Sequence, residues 1–361
     1  MFKYDSTFRL LRLYGPAAVR GFTARRALNA LRTEWAYRRR QIDVRSKPYI
    51  LFIEPLYYCN LKCPLCPRQT PDFKGQKGKL ELDLITQVFD ELGPYLFQCS
   101  IFGNGEPTLD WDKTQQVIDA ARKHRIFTMV STNATLITPA LAERIVTSGL
   151  DYLVCAIDGV SQEAYETYRV GGTVEGAMNG MRHVLAAKQR SKSKMIVEWQ
   201  YLVHRRNEHE LEAARALATQ LGVAIRFAPI GGMGKDEAVQ EQWAAQDPNF
   251  RKHVEHGDAP TNRHHCYWLW RGMYINATGT LARCPGFAGA SMLGDLRRES
   301  ISAVYNGPIT QSQRRIFNQA AMPADARVPA PCDTCTLYVR CHAPAKTVPT
   351  RALISLDVAS R

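Results

Sequence analysis

The chain has 361 residues, 45% hydrophobic and 9% aromatic, enough for one large domain or a full-size domain with a smaller companion. It contains no apolar run long enough to span a membrane and no secretory signal at its start, so the sequence predicts a cytoplasmic protein. The net charge of +13 is uneven: residues 1–48 hold twelve Lys or Arg against Asp5, Glu34 and Asp43, so +9 falls there and only +4 on the rest.

Residues 1–47 read as a basic, partly amphipathic helical arm, with Leu11, Val19, Phe22, Ala27, Leu28, Leu31, Trp35 and Tyr37 among the charges. From Tyr49 an alternation begins. Apolar runs predict strands at Tyr49–Pro55, Gln98–Phe102, Ile126–Ser131, Tyr152–Ile157, Met195–Val203 and Val223–Ala228. Helical periodicity lies between them, as in Leu84, Ile85, Val88, Phe89 and Leu92. Thr138 with Pro139 predicts a helix start that Gly149 ends, and Asn207 and Gly222 bracket another helix.

Six strands alternating with helices imply a mainly parallel α/β sheet over residues 48–230, either doubly wound or an open barrel. Ligands are then expected at the C-terminal ends of the strands. Residues 231–262 are polar and poorly periodic, a linker or lid, and the Gly231-Gly232-Met233-Gly234 run reads as an active-site loop. Residues 263–345 form a cysteine-bearing C-terminal unit, and 346–361 a tail.

Ten cysteines in a chain without an export signal point to metal ligation rather than disulfides. Cys59, Cys63 and Cys66 follow directly on the first strand. Three thiolates at this spacing can hold a cubane cluster and leave one iron open; zinc is the alternative, but it would normally want a fourth ligand or a nearby His, and no His lies near this loop. Cys99 and Cys155 sit in apolar strand runs, where free cysteine packs as a small hydrophobe.

The C-x3-C-x2-C loop resembles the defining motif of the radical S-adenosylmethionine (SAM) superfamily, and further elements follow in the expected order. Phe102-Gly103-Asn104-Gly105-Glu106-Pro107 is similar to the family's Gly-Gly-Glu element, with Asn104, which tolerates left-handed geometry, in place of the first Gly. Ser131-Thr132-Asn133-Ala134, Ala156-Ile157-Asp158-Gly159 and Arg169-Val170-Gly171-Gly172 come next. The resemblance implies a partial (β/α)6 TIM-like barrel, a [4Fe–4S] cluster on Cys59, Cys63 and Cys66, and SAM on the open iron, cleaved to a 5′-deoxyadenosyl radical. Glu106 would accept the SAM ammonium. Asn133, Asp158 and Arg169 would meet its ribose and carboxylate, and Gln200, at the end of the fifth strand, would be a SAM or substrate ligand. Ala156 stands where a Ser is common, and Leu65 where an aromatic often packs near the adenine. Read singly, Asn133 and Asp158 could cap helices and Arg169 could form a surface ion pair.

Cys266 and Cys284 flank a predicted hairpin, Met273–Leu281 with its turn at Ala277–Gly279, and Cys332 and Cys335 add two thiolates. Such a set suits a structural zinc or a second cluster. With Gly294-Asp295-Leu296, Ser300–Tyr305 and Arg314-Arg315 between them, the cysteines resemble SPASM/twitch extensions, which implies an auxiliary [4Fe–4S] cluster on Cys266, Cys284, Cys332 and Cys335. Cys341 is a substitute ligand, a hydrogen-atom donor or an inert thiol; His264 and His265 read as packed or exposed imidazoles rather than ligands.

The expected activity is hydrogen-atom abstraction from a small-molecule, carbohydrate- or lipid-linked substrate for oxidation or epimerisation, because 48 residues are too few for the leader-binding domain of peptide-modifying relatives. Modification of a peptide or protein is the alternative. An electron donor such as flavodoxin or ferredoxin is the expected partner; the basic arm is open to three roles, contact with an anionic membrane surface, docking of an acidic reductant such as flavodoxin, or a solvated helix with no partner. A zinc-bearing nucleic-acid-binding protein is the rival class, but the charge is confined to one arm and no RNA-binding signature accompanies it.

Overall fold

A computed structural model describes residues 19–70, 73, 77–232, 236–251, 266–282, 284 and 292–318. Six strands run parallel in chain order: β1 (Ile50–Ile53), β2 (Gln98–Ile101), β3 (Phe127–Thr132), β4 (Tyr152–Ala156), β5 (Ile196–Val203) and β6 (Ala224–Pro229). The crossovers are α2 (Leu82–Leu92), α3 (Trp111–Lys123), α4 (Pro139–Thr147), α5 (Gln162–Tyr168) with α6 (Val174–Ser191), and α7 (Leu211–Leu221). This is the β/α architecture of a partial barrel; four strands fall within their predicted runs, and β3 and β6 each extend one residue beyond theirs, to Thr132 and Pro229.

Side chains alternate across the strands. Leu51, Ile53, Cys99, Ile101, Val130, Leu153, Cys155, Val197, Trp199 and Tyr201 pack into the main core with the helices. On the other face Phe127, Tyr152 and Val154 form a smaller apolar cluster with Met129 and Ile196. Cys99 and Cys155 are fully buried in apolar surroundings, as read from the sequence.

Local signals set the helices. Leu84, Ile85, Val88, Phe89 and Leu92 are the buried stripe of α2. Thr138 caps α4 by accepting from the Leu141 amide at 3.2 Å. Gly222, in the left-handed region at φ 64°, closes α7. The predicted start of α7 is different: a 3-10 turn, Glu208–Glu210, intervenes, and Asn207 makes no capping bond to it. Asn207 instead donates to the Asp158 and Leu202 carbonyls at 3.0 and 2.9 Å and accepts from the His204 amide.

The region read as a linker contains α8 (Glu237–Trp243), capped by Asp236 and buried at Trp243. After α9 (Trp268–Arg271), β7 (Gly272–Ile275) adds to β1 in parallel, Ile50 opposite Gly272, so β1 is an interior strand. β8 (Thr280–Ala282) and β9 (Met292–Asp295) continue antiparallel to complete nine strands. The hairpin turn is organised by the Asn276 carboxamide oxygen, which accepts from Thr278 and Thr280. α10 (Ile301–Tyr305) and α11 (Pro308–Arg315) follow.

The described part of the basic arm, residues 19–47, is built into the fold. α1 (Ala24–Arg38) lies across the N-terminal ends of the strands, where Arg26 donates to the carbonyls before β2 and β3, Gly93 and His124. Glu34 pairs with Arg271 at 2.6 Å just ahead of β7.

Candidate active site at the C-terminal strand ends

The loop after β1 is tied to its neighbours by backbone bonds. The Glu106 amide donates to the Tyr58 carbonyl at 2.7 Å, and the Lys62 amide to Val170 at 2.9 Å. A side chain at Gly105 would meet the Leu56 carbonyl at 1.9 Å, so only glycine lets the two loops approach. Asn104 does not use the left-handed conformation expected of it; its φ is negative, and its backbone amide instead donates to the Glu54 carboxylate.

Cys59, Cys63 and Cys66 come together in one apolar cluster with Leu61, Tyr168, Ile230, Trp243 and Ala244. Burial pushes all three thiols up, Cys59 to about 11, with nearby Glu106 and the other thiols adding to it. Left to themselves these would be neutral thiols; a bound cationic centre deprotonates its ligands outright. Among the described residues no three His, Cys, Asp or Glu side chains converge closely enough for one metal ion. A cubane asks for less convergence, because each thiolate takes a different iron.

Glu106, after β2, is buried with four bonds: Oε1 accepts from the Thr108 amide (3.0 Å), the Thr108 hydroxyl (2.6 Å) and the Thr132 hydroxyl (2.6 Å), and Oε2 from the Asn133 amide (2.7 Å). Oε2 keeps acceptor capacity that an ammonium group could use. Asn133 joins the loop after β3 to the cysteine loop, its Nδ2 donating to Asn60 Oδ1 at 2.9 Å. The next residue, Ala134, sits at φ 63°, a strained conformation for a residue with a Cβ.

Asp158, after β4, is fully buried, and both its oxygens are engaged inside the protein. Oδ1 accepts from the Leu202 amide at 2.7 Å and Oδ2 from Arg169 Nε at 2.6 Å. Burial pushes the Asp158 carboxyl above its ordinary value, against the pull of Arg169. Burial also opposes the Arg169 charge, but Asp158 and Cys63 outweigh it and hold the guanidinium firmly protonated. Arg169 Nη1 lies 3.9 Å from Cys63 Sγ. Asp158 therefore aims Arg169 at the cysteine loop, rather than capping a helix, and Arg169 is not a surface ion-pair residue.

Gln200 departs from its expected place. It lies three residues inside β5, and its Oε1 accepts from Arg226, which also pairs with Glu198 at 2.7 Å.

Three features escaped the sequence reading. Glu54, directly after β1, is fully buried; it accepts from the Asn104 and Gly105 amides and, at 2.5 Å, from the Tyr274 hydroxyl of β7. Its signal was an acidic residue closing an apolar strand five positions before Cys59. His204, just past β5, is fully buried between Tyr168 and Trp243, and its Nε2 has no protein partner. Burial, with Arg206 and Arg169 nearby, lowers it to about 4, a neutral imidazole at neutral pH. The Tyr165 hydroxyl, in the field of Arg169, Asp158, Cys63 and Glu106, is likewise buried without a protein partner. Orphaned polar atoms beside the cysteines suit a bound polar cofactor.

Gly232 packs on the Leu65 backbone, which brings the predicted glycine loop to the cysteines; Met233 and Gly234 lie outside the described residues. In the C-terminal unit the Tyr267 hydroxyl is raised first by burial and further by the Cys266 and Cys284 thiols, which both act on it. Cys332, Cys335, Cys341, His264 and His265 lie outside the described residues.

Two family models match. One, described as the radical SAM superfamily, covers residues 53–218, and the other, an iron–sulfur cluster-binding domain termed SPASM, covers residues 266–336. The chain is 26% identical over 208 residues to mycofactocin maturase MftC of Mycobacterium tuberculosis (strain CDC 1551 / Oshkosh), 58% of this chain and 50% of that one. It is 26% identical over 182 residues to a PqqA peptide cyclase of Granulibacter bethesdensis, 49% of this chain and 47% of that one. The chain thus spans about half the length of these curated relatives. The fold matches Streptococcus suis SuiB bound to S-adenosylmethionine with a TM-score of 0.58 at 14% identity, covering 86% of this chain and 73% of that one.

Proposed function

Because this chain belongs to the radical SAM superfamily and carries an iron–sulfur cluster-binding SPASM domain, we propose that it modifies a peptide by taking a hydrogen atom from an unactivated carbon. It is a radical SAM enzyme, and its cofactors are SAM, the [4Fe–4S] cluster that binds SAM, and auxiliary iron–sulfur ligation in the SPASM region. When bound, the first cluster reductively cleaves SAM to a 5′-deoxyadenosyl radical, and an auxiliary cluster offers an acceptor for the electron an oxidative outcome releases.

The gathering of Cys59, Cys63 and Cys66 in one apolar cluster beside Glu106 and the Asp158–Arg169 pair carries the reading. In it the three thiolates hold the cluster. Glu106 Oε2 receives the SAM ammonium, while Asn133 and Arg169 meet ribose and carboxylate, with Asp158 acting through Arg169. Tyr168, Ile230 and Trp243 keep water from the cysteines. Glu198, Gln200 and Arg226 form a polar group facing the substrate side. Cys266 and Cys284 contribute half of an auxiliary ligand set that Cys332 and Cys335 complete, with Cys341 in reserve. Flavodoxin or ferredoxin supplies the electron. The peptide assignment is supported by the relatives, MftC being a maturase and PqqA peptide cyclase acting, by its name, on a peptide; it takes precedence over the small-molecule substrate expected from the sequence.

Anaerobic purification, iron and sulfide analysis, and SAM cleavage under dithionite test the chemistry. Cys59→Ala, Cys63→Ala and Cys66→Ala should each reduce 5′-deoxyadenosine to background; zinc in place of iron, with no cleavage, sinks the assignment. Substrate class is read by incubating loaded enzyme with deuterated cell extract separated by size. Deuterium entering 5′-deoxyadenosine from a fraction that protease treatment inactivates supports a peptide; transfer from a protease-resistant fraction restores the small-molecule, carbohydrate- or lipid-linked reading.

A further inference from the structure

At the end of the sheet opposite the cysteine loop, α1 has an unusual distribution of side chains. Its inward side is largely polar: Arg26, Asn29 and Thr33 are buried with Ala36, and Arg26 and Asn29 hydrogen-bond backbone carbonyls beneath the helix. At 3.6 residues per turn, Ala24, Leu28, Leu31 and Trp35 share the opposite side. Leu28, Leu31 and Trp35 are 48%, 69% and 57% exposed. Arg25, Arg32 and Arg39 run along one flank of this stripe and Arg38 along the other, all exposed. Val19 and Phe22, ahead of the helix, are exposed as well, and Arg39 lies 4.7 Å over the Trp35 ring. Beside it an open groove of about 1080 Å³ runs between α1 and residues 41–46, with Leu31, Trp35, Arg32 and Arg45 in its lining.

A globular surface helix normally turns its apolar stripe inward. Here that stripe faces out, and a contiguous apolar patch marks an interaction site. The guanidinium groups on both flanks select the partner. Leucine, phenylalanine and tryptophan between arginines fit the boundary of an anionic bilayer, where apolar groups enter the acyl layer and arginines reach lipid phosphates. In sequence, residues 1–18 add Lys3, Arg9 and Arg12 among Phe8, Leu10, Leu11 and Leu13, the same chemistry. No helix among the described residues is long and apolar enough to cross a membrane, so the contact is with the surface.

We propose that the outward face of α1 docks this protein on an anionic membrane surface. Since α1 covers the N-terminal strand ends, the cysteine loop then faces away from the bilayer. Truncation is a poor test, because it also removes Arg26, Asn29 and Glu34 from beneath the sheet; charge reversal on the exposed face is better. Full-length loaded enzyme is sedimented with vesicles of phosphatidylcholine alone or mixed with phosphatidylglycerol, at low and high salt. Binding should require phosphatidylglycerol, weaken with salt, and fall about tenfold or more for Leu31→Glu/Trp35→Glu and several-fold for Arg32→Glu/Arg39→Glu. SAM cleavage and far-UV circular dichroism should stay unchanged in both variants. Absence of binding to the mixed vesicles, or equal binding by wild type and variants with intact dichroism, overturns the proposal. Binding that emerges only after removal of residues 1–18 assigns the face to that segment and overturns it as well.

Discussion

Glu54 carries a carboxyl that burial pushes up to about 7, against the Tyr274 hydroxyl and the Gly105 and Asn104 amides that favour its charged form. In the folded protein it keeps its proton to higher pH than in the unfolded chain. Between its ordinary value and about 7 the native state therefore binds the extra proton, and stability falls as pH rises through that window, then levels off. The size of the fall is about 3 kcal/mol. Glu54→Gln can still accept from the two amides and can turn its amide toward Tyr274, so it should fold. Anaerobic urea titrations from pH 4.5 to 8 should show wild type losing stability relative to Glu54→Gln up to about pH 7; parallel curves for the two proteins refute the assignment. Spacing made the three cysteines legible in sequence, and the family resemblance made Glu106, Asn133, Asp158 and Arg169 so. Glu54, Thr132, His204 and the aim of Asp158 were not, because each matters through a partner on a different strand, and strand register is not written locally.

Among the elements, α7 shows how a correct helix can carry a wrong reason. Asn207 is a good capping residue type in the right place, and Gly222 does close the helix. Asn207 is instead a buried brace between the loops after β4 and β5, bonded to the Asp158 and Leu202 carbonyls and the His204 amide. Asn207→Ala leaves two buried carbonyls and an amide without their partner and should cost about 2–3 kcal/mol by chemical denaturation. A capping role would let Asn207→Ser or Asn207→Asp recover most of that. The brace geometry predicts that neither does, since Ser cannot span the same three groups and Asp turns a charged oxygen toward carbonyls. α8 was missed for a related reason: its short polar sequence offers only Val239 and Trp243, four residues apart, and these two pack it beside the cysteines.

The whole molecule is less modular than its sequence. Composition separates a basic arm, an alternating body and a cysteine-rich C-terminal unit, yet β7 pairs directly with β1, and Tyr274 of β7 bonds Glu54 just after β1. The arm closes the same junction from below. Trp270 Nε1 donates to the Gln41 carbonyl at 2.9 Å, Arg314 to Ile42 at 3.0 Å, and Asn306 to Val44. Long-range contacts of this kind leave no periodicity, whereas the strand–helix alternation does, so the body was readable and its joints were not. Residues 19–47 thus belong to the fold rather than to an appendage. Removing residues 1–47 deletes the Glu34 partner of Arg271 and the buried Arg26 bridge to Gly93 and His124, and uncovers Trp270. Burying a side chain of that size is worth about 2–3 kcal/mol, before the lost charged hydrogen bonds are counted. The truncated chain should therefore unfold at clearly lower urea than the full chain and elute partly as aggregate on size exclusion. A truncated protein that stays monomeric with an unshifted midpoint would show instead that the arm is a detachable tether.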